Sequence, residues 1–168
     1  MSARSSLQRV REARPEDAAT VHRFIEALAD YSGHPDAVEV TPQELESQMR
    51  TERPPFECLI AEHGGEAAGV AIFFPNYSTW RGKAGIYLED LFVMPQHRGL
   101  GLGRALLRRL ANIARERDGA RLEWSVLNWN EPSQNFYAAL GATALDETTA
   151  WRLTDGALSR LAAEDTDR

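Results

Sequence analysis

Residues 94–116 read MPQHRGLGLGRALLRRLANIARE. Gly99, Gly101 and Gly103 alternate directly in front of a long amphipathic run, so a glycine turn feeds a helix. A dinucleotide-binding fingerprint needs glycine three residues after Gly101, where Arg104 stands. A Gly-Lys-Ser/Thr phosphate loop fails as well, because Gly103 is followed by Arg104-Ala105. What remains is a turn that exposes backbone N–H groups at a helix N-terminus carrying partial positive charge. Such a turn suits a pyrophosphate, with Arg98 and Arg104 able to add charge-assisted contacts. By itself the Gly-x-Gly-x-Gly pattern is also compatible with a plain strand-to-helix connection.

The elements on either side define the fold class. QRVREA (8–13) predicts a strand, and Pro15 opens a helix with Val21, Phe24, Ile25 and Leu28 on one face. TPQELESQMR (41–50) has threonine at the cap, proline at the first helical position and Glu44 three residues after the cap. FECLIAEHGGEAAGVAIFFP (56–75) predicts a hairpin turning at Gly64-Gly65, and AGIYLEDLFVM (84–94) a long strand. ARLEWSVL (120–127) is another strand, and EPSQNFYAALG (131–141) a short helix ended by Gly141. TAWRLT (149–154) predicts a last strand, and the segment from Asp155 onward has weak helical character. Strands bounding helices on a mixed sheet give an α/β (α+β layered) domain.

Composition narrows the function classes. A chain of 168 residues with 43% hydrophobic and 26% charged residues reads as one soluble domain, residues 1–168. Its core is expected at about 8–155 and a tail at 156–168. Twenty-five acidic against nineteen basic residues, a net charge of -6, argue against nucleic acid as partner, although arginines cluster along 104–121. No run approaches the ~18 apolar residues of a membrane span, and MSARSSLQRVREA lacks the apolar centre of a signal peptide. The single cysteine, Cys58, excludes an internal disulfide, reads as a buried thiol and suits a reducing, cytoplasmic compartment. His22, His34, His63 and His97 show no metal-ligand spacing, so no metal is expected.

The order Val-x-Pro (93–95), Arg-x-x-Gly-x-Gly (98–103), then Asn130 and Asn-Phe-Tyr-x-x-x-Gly-Ala (135–142) resembles the GNAT acyltransferase superfamily. The resemblance covers about residues 8–155. It implies a mixed, mostly antiparallel central sheet, splayed in the middle and flanked by helices, with acetyl-CoA as cosubstrate. More narrowly, YLED (87–90), WNEPS (129–133) and NFY (135–137) are similar to the diamine (spermidine/spermine) acetyltransferases. YSTW (77–80) is similar instead to their thialysine-acetylating relatives. The polyamine branch carries acids where this chain has Ser32, Ser78 and Thr149.

The resemblance implies a role for each matching position. The loop Arg98, Gly99, Leu100, Gly101, Leu102, Gly103 and Arg104 is expected to bind the pyrophosphate. Backbone N–H groups of Leu91 and Val93 are expected to meet the thioester and pantetheine, with Asn130 and Ser133 also on the cofactor. Asn130 could equally be the N-cap of its helix. Tyr31, Trp80 and, more weakly, Trp124 are expected to line an amine pocket.

Acetyl transfer requires a neutral amine, and a lysine-type amine with a pKa of ~10.4 is almost entirely protonated at neutral pH. A carboxylate can attract that cation and accept its proton. Glu89 is expected to act as base and Asp90 to position substrate. Adjacent strand residues point to opposite faces, so only one should face the site unless a bulge intervenes. Tyr137 is expected as the general acid that protonates the leaving thiolate. The substrate is expected to be a primary amine of a small diamine, polyamine or lysine-like amino acid, and the enzyme a homodimer. The alternatives are an acetyltransferase acting on protein N-termini or lysines and a non-catalytic CoA-binding sensor.

Overall fold

The computed structural model describes residues 8–164. The chain forms two compact units that divide between Ser125 and Val126. The first unit holds strands β1 (Gln8–Glu12), β2 (Glu57–His63), β3 (Glu66–Ser78), β4 (Lys83–Val93) and β5 (Leu122–Trp124). It also holds helices α1 (Ala18–Tyr31), α2 (Pro42–Met49) and α3 (Leu102–Glu116). The sheet order is β1-β2-β3-β4-β5, antiparallel throughout except for the parallel β4–β5 pair. This is the expected mixed, mostly antiparallel sheet flanked by helices.

Local chemistry explains most element boundaries. Pro15 opens a single 3₁₀ turn, Pro15–Asp17, and α1 proper begins at Ala18. Thr41 caps α2 reciprocally: the Glu44 amide donates to Thr41 Oγ1 at 3.2 Å and the Thr41 amide donates to Glu44 Oε2 at 2.8 Å. Gly64 and Gly65 both take positive φ, +62° and +87°, which a tight hairpin turn requires. β3 runs past Pro75, where the sequence reading ended it. Pairing with β2 stops at Phe73, so beyond that point β3 has a neighbour only on the β4 side and a missing N–H is tolerated.

Two apolar layers enclose the sheet. On one face Val21 and Phe24 of α1 and Leu45 of α2 pack with Cys58, Ile60, Val70, Ile72 and Phe92. α3 packs against β1 to β5 and buries Leu102, Leu106, Leu107, Leu110 and Ile113. Cys58 is free and buried, and burial holds its thiol pKa well above the usual value.

β4 carries the irregularity that matters most. Its residues pair regularly with β3 from Lys83 to Leu88, and again from Asp90 to Val93, but the register shifts between Ile72 and Phe73. Phe73 faces Leu88 and Ile72 faces Asp90, which leaves Glu89 as the extra, bulged residue. Neighbouring residues of β3 point to opposite faces, so Leu88 and Asp90 do too, although they are only two apart. Asp90 joins the α1 face with Ile72 and Phe92. The β4–β5 ladder also ends here, at Leu88 opposite Trp124. Among the described residues, Glu89 to Val93 have no strand partner on that edge. The sheet is therefore splayed where the bulge lies.

In the second unit, α4 (Glu131–Ala138) and α5 (Asp155–Ala163) are helical. Gly141, with φ +86°, follows α4 as expected. The strand predicted over 149–154 is not formed. A strand needs a ladder partner for its backbone groups, none is present among the described residues, and Trp151 is 93% exposed. No described helix is long and apolar enough to cross a membrane.

Candidate active site

The glycine loop delivers an uncapped helix end. A 3₁₀ turn, Pro95–His97, carries the chain off β4, and Gly99 and Gly101 then take φ +74° and +87°. Gly101 is the N-cap of α3 and has no side chain to cap it, and no acidic residue occupies the first turn. The amides of Leu102, Gly103 and Arg104 thus lack intrahelical acceptors, with the Arg104 side chain exposed beside them. A Cβ built on Gly99 or Gly101 meets nothing within 4 Å, so both glycines border open space. Leu102 is buried in the core and Leu100 is exposed. The Leu100 carbonyl accepts a hydrogen bond from Gln8 Nε2 at 2.5 Å, which ties the loop to β1.

The edge of β4 next to this loop is also free. The Met94 amide donates to Ala68 O at 2.9 Å, so even-numbered residues of this stretch turn their backbone groups toward β3. By alternation, the N–H and C=O of Leu91 and Val93 point to the unpaired edge. One of these groups is engaged: Arg98 Nε donates to Val93 O at 3.1 Å.

The bulge brings both carboxylates to one side. Glu89 alternates away from Leu88, and Asp90 is on the α1 face by register, so the two share that face. Glu89 is exposed and Asp90 half-buried. Desolvation, and then repulsion from Glu89, pushes the Asp90 pKa up to about 6. Neither acid is in an ion pair with a described residue.

The aromatic candidates of the first unit are spread over several elements. The Tyr31 ring, at the end of α1, lies 6.5 Å from Phe92. The Arg98 guanidinium sits over both, 4.9 Å from the Tyr31 centroid and 5.6 Å from that of Phe92. Trp124 is half-buried on β5 opposite Leu88. Trp80, in the β3–β4 turn, is 99% exposed. Ser78 is buried, and its Oγ accepts from the Arg81 amide at 3.3 Å.

In the second unit, Asn130 does cap α4, its Oδ1 accepting from the Ser133 amide at 3.2 Å. Tyr137 lies on that helix, its ring 5.3 Å from Phe136. Burial raises the phenol pKa above its usual value, so the hydroxyl keeps its proton at neutral pH.

Sequence reasoning missed three features here. Phe92 was read only as strand, yet it shares the Arg98 guanidinium with Tyr31. Phe74 and Tyr87 stack at 5.4 Å on the face of the acids, and the Tyr87 hydroxyl meets Ser125 Oγ at 2.9 Å. Gln8 reaches a loop 92 positions away. No local signal marks such contacts, which join elements far apart in the sequence.

With this geometry in place, residues 21–142 match the model of the acetyltransferase (GNAT) family, and the chain belongs to that family. It is therefore an enzyme of the transferase class, which sets aside the non-catalytic reading. A thialysine N-epsilon-acetyltransferase of Bos taurus is 34% identical over 150 residues, 84% of this chain and 88% of the relative. A spermidine/spermine N(1)-acetyltransferase-like protein 1 of Homo sapiens is 34% identical over 151 residues, 86% of this chain but 22% of that longer protein. Among solved structures, an integron cassette protein from the mobile metagenome of V. cholerae superposes with a TM-score of 0.78 at 22% identity. That superposition covers 93% of this chain and 98% of the other.

Proposed function

We propose that this enzyme transfers acetyl from acetyl-CoA to a primary amine of a small diamine, polyamine or lysine-like amino acid. The thialysine type of amino acid is included, and attack is direct, within a ternary complex. The observation that carries the reading is the bulge at Glu89, which puts two carboxylates on one face beside an unpaired strand edge. The names of the relatives point to the same substrate class.

The residues present fit the cosubstrate. Gly99 and Gly101 border open space beside the uncapped amides of Leu102, Gly103 and Arg104, and a pyrophosphate is an anion that such an array accepts. The outward amides of Leu91 and Val93 suit a chain of amides laid along the β4 edge as an added strand. Asn130 and Ser133 complete the proposed cofactor contacts. When bound, acetyl-CoA supplies an activated acetyl thioester.

Glu89 attracts the substrate ammonium and takes its proton, directly or through water. Asp90 positions the cation, and Tyr31, Trp80 and Trp124 supply aromatic walls. Tyr137 donates its phenolic proton to the sulfur. We further read residues 1–168 as one domain, since the family match crosses the boundary between the units. A homodimer in a reducing, cytoplasmic compartment completes the proposal; the buried free thiol of Cys58 is suited to that compartment.

The direct test incubates purified protein and acetyl-CoA with thialysine, lysine, ornithine, putrescine or spermidine and follows CoA release. At least one should support turnover far above the amine-free rate. Release only with peptide substrates overturns the small-amine reading. Gly101→Val tests the cofactor site separately. The side chain projects into the open space before α3 and strains a φ of +87°. Acetyl-CoA affinity should fall at least about tenfold, a loss of roughly 1.4 kcal/mol. Unchanged calorimetric affinity in a folded variant refutes the assignment.

A further inference from the structure

We propose that the cleft between the outer edge of β1 and α3 is a second anion site, built for a phosphate group that is free or carried by a small molecule. It is separate from the glycine loop and from the amine site. Its volume is about 260 Å³. One wall is β1 at Gln8, Arg9 and Val10, and the other is α3 at Ala105, Arg108, Arg109 and Asn112. The four helix positions follow i, i+3, i+4 and i+7, so they form one face, and the short side chain of Ala105 leaves room between the walls. The chain has a net charge of -6, yet this lining holds three arginines and no acid among the described residues.

The arginines differ in what holds them. Arg109 is fixed: Nη1 donates to Glu116 Oε1 at 2.9 Å, and Nη2 lies 3.7 Å from Glu12 Oε1. Arg108 is exposed and makes no hydrogen bond or ion pair to a described residue, so its charge is uncompensated. Arg9 shares the face of Arg11 by alternation and adds charge at the rim.

β1 supplies a donor from the opposite wall. It is the first strand of the sheet and has a neighbour, β2, on one side only among the described residues. The Ala13 amide donates to Cys58 O at 2.8 Å, so odd-numbered residues of β1 turn their backbone groups toward β2. The Val10 N–H therefore points to the open edge. Gln8 Nε2 is already engaged with Leu100 O. The Arg108 fork, the Asn112 amide and the Val10 amide thus line one cleft from two sides. A tetrahedral phosphate can give two oxygens to the fork and another to the opposite wall, whereas a carboxylate has only the two. The volume lies just below the ~300–1,000 Å³ of pockets for drug-sized ligands, so the carrier is restricted to a few carbons.

The test titrates glycerol 3-phosphate and inorganic phosphate, in separate calorimetric runs, into protein saturated with CoA in a phosphate-free buffer. CoA fills the proposed cosubstrate site, which keeps the two anion sites apart. The unaltered protein should show a single saturable site with a Kd of about 1 mM or tighter. Tighter binding of the ester identifies an organic phosphate as the ligand, and tighter binding of the inorganic ion identifies free phosphate. Arg108→Ala should weaken binding at least about tenfold, as loss of a charge-assisted contact does, and Asn112→Ala by less. CoA affinity should be unchanged in both variants. No saturable binding of either anion to the unaltered protein overturns the proposal, and so decides it even if a variant does not fold. Unchanged anion binding in folded Arg108→Ala also overturns it. A parallel loss of CoA affinity in that variant overturns it as well, and places Arg108 on the cosubstrate.

Discussion

Replacing Tyr137 by phenylalanine should lower kcat by about 10²–10⁴, the cost of removing a general acid. The substitution deletes one hydroxyl and leaves the packing of the ring against Phe136. It also leaves the Tyr137 carbonyl, which accepts from the Leu140 and Ala142 amides at 3.0 and 3.2 Å and closes the end of α4. Acetyl-CoA affinity should therefore change little. Burial raises the phenol pKa, so the acid form persists through neutrality, and the wild-type alkaline limb should not reflect loss of this proton below the usual phenol range. Stopped-turnover assays with a good amine, alongside calorimetric titration of acetyl-CoA, separate the two effects. Wild-type kcat in Tyr137→Phe makes the residue packing alone.

Glu89→Gln should act at the other end of the reaction. Loss of a negative charge from the amine site should raise the amine KM by about tenfold or more. The pH dependence carries more information. In the free enzyme the Asp90 pKa is pushed up to about 6, first by burial and then by repulsion from Glu89. Because the shift is upward, the Asp90 carboxylate is fully charged only above that value, and kcat/KM should fall as pH drops through it. Glu89→Gln removes the repulsion, so this acidic limb should move to lower pH. In the complex, the bound ammonium loses its proton acceptor, so the kcat profile should move to higher pH. Opposite displacements of the two profiles, measured across about pH 6–10 for kcat and down to about pH 4 for kcat/KM, identify the pair as a coupled amine site. Superimposable profiles in wild type and variant reduce the acids to a solvated strand face.

The same shift affects folding with a defined sign. A carboxyl whose folded pKa is raised binds its proton more tightly in the native state, so Asp90 contributes stability at low pH that declines as pH rises toward about 6. This carboxyl thus works against stability at neutral pH, which agrees with the binding role proposed for it.

Local order carried most of the fold. The Thr41–Glu44 cap, the Gly64-Gly65 turn and the spacing of Val21 and Phe24 are contacts between near neighbours, so composition and period reveal them. The glycine loop was legible for the same reason: a helix with no capping side chain and no acid in its first turn displays its donors whatever packs behind it. The candidate acids were legible as residue types, but not their common orientation. Alternation alone sends Glu89 and Asp90 to opposite faces, and the bulge that reverses this exists only in the pairing of β4 with β3. Pro75 misled for a related reason, since whether a proline breaks a strand depends on which edge has a neighbour. The extended pattern at 149–154 shows the converse: a strand-like sequence is not a strand without a partner for its backbone. Arg98 draws the line most sharply. Its place in the glycine motif is a local pattern, whereas its contact with the Tyr31 ring, 67 positions earlier, is made only in the folded chain. Sequence determines which charges and turns a chain possesses, because those are properties of single residues and close neighbours; where two charges meet is a property of strand register, and tertiary structure alone decides it.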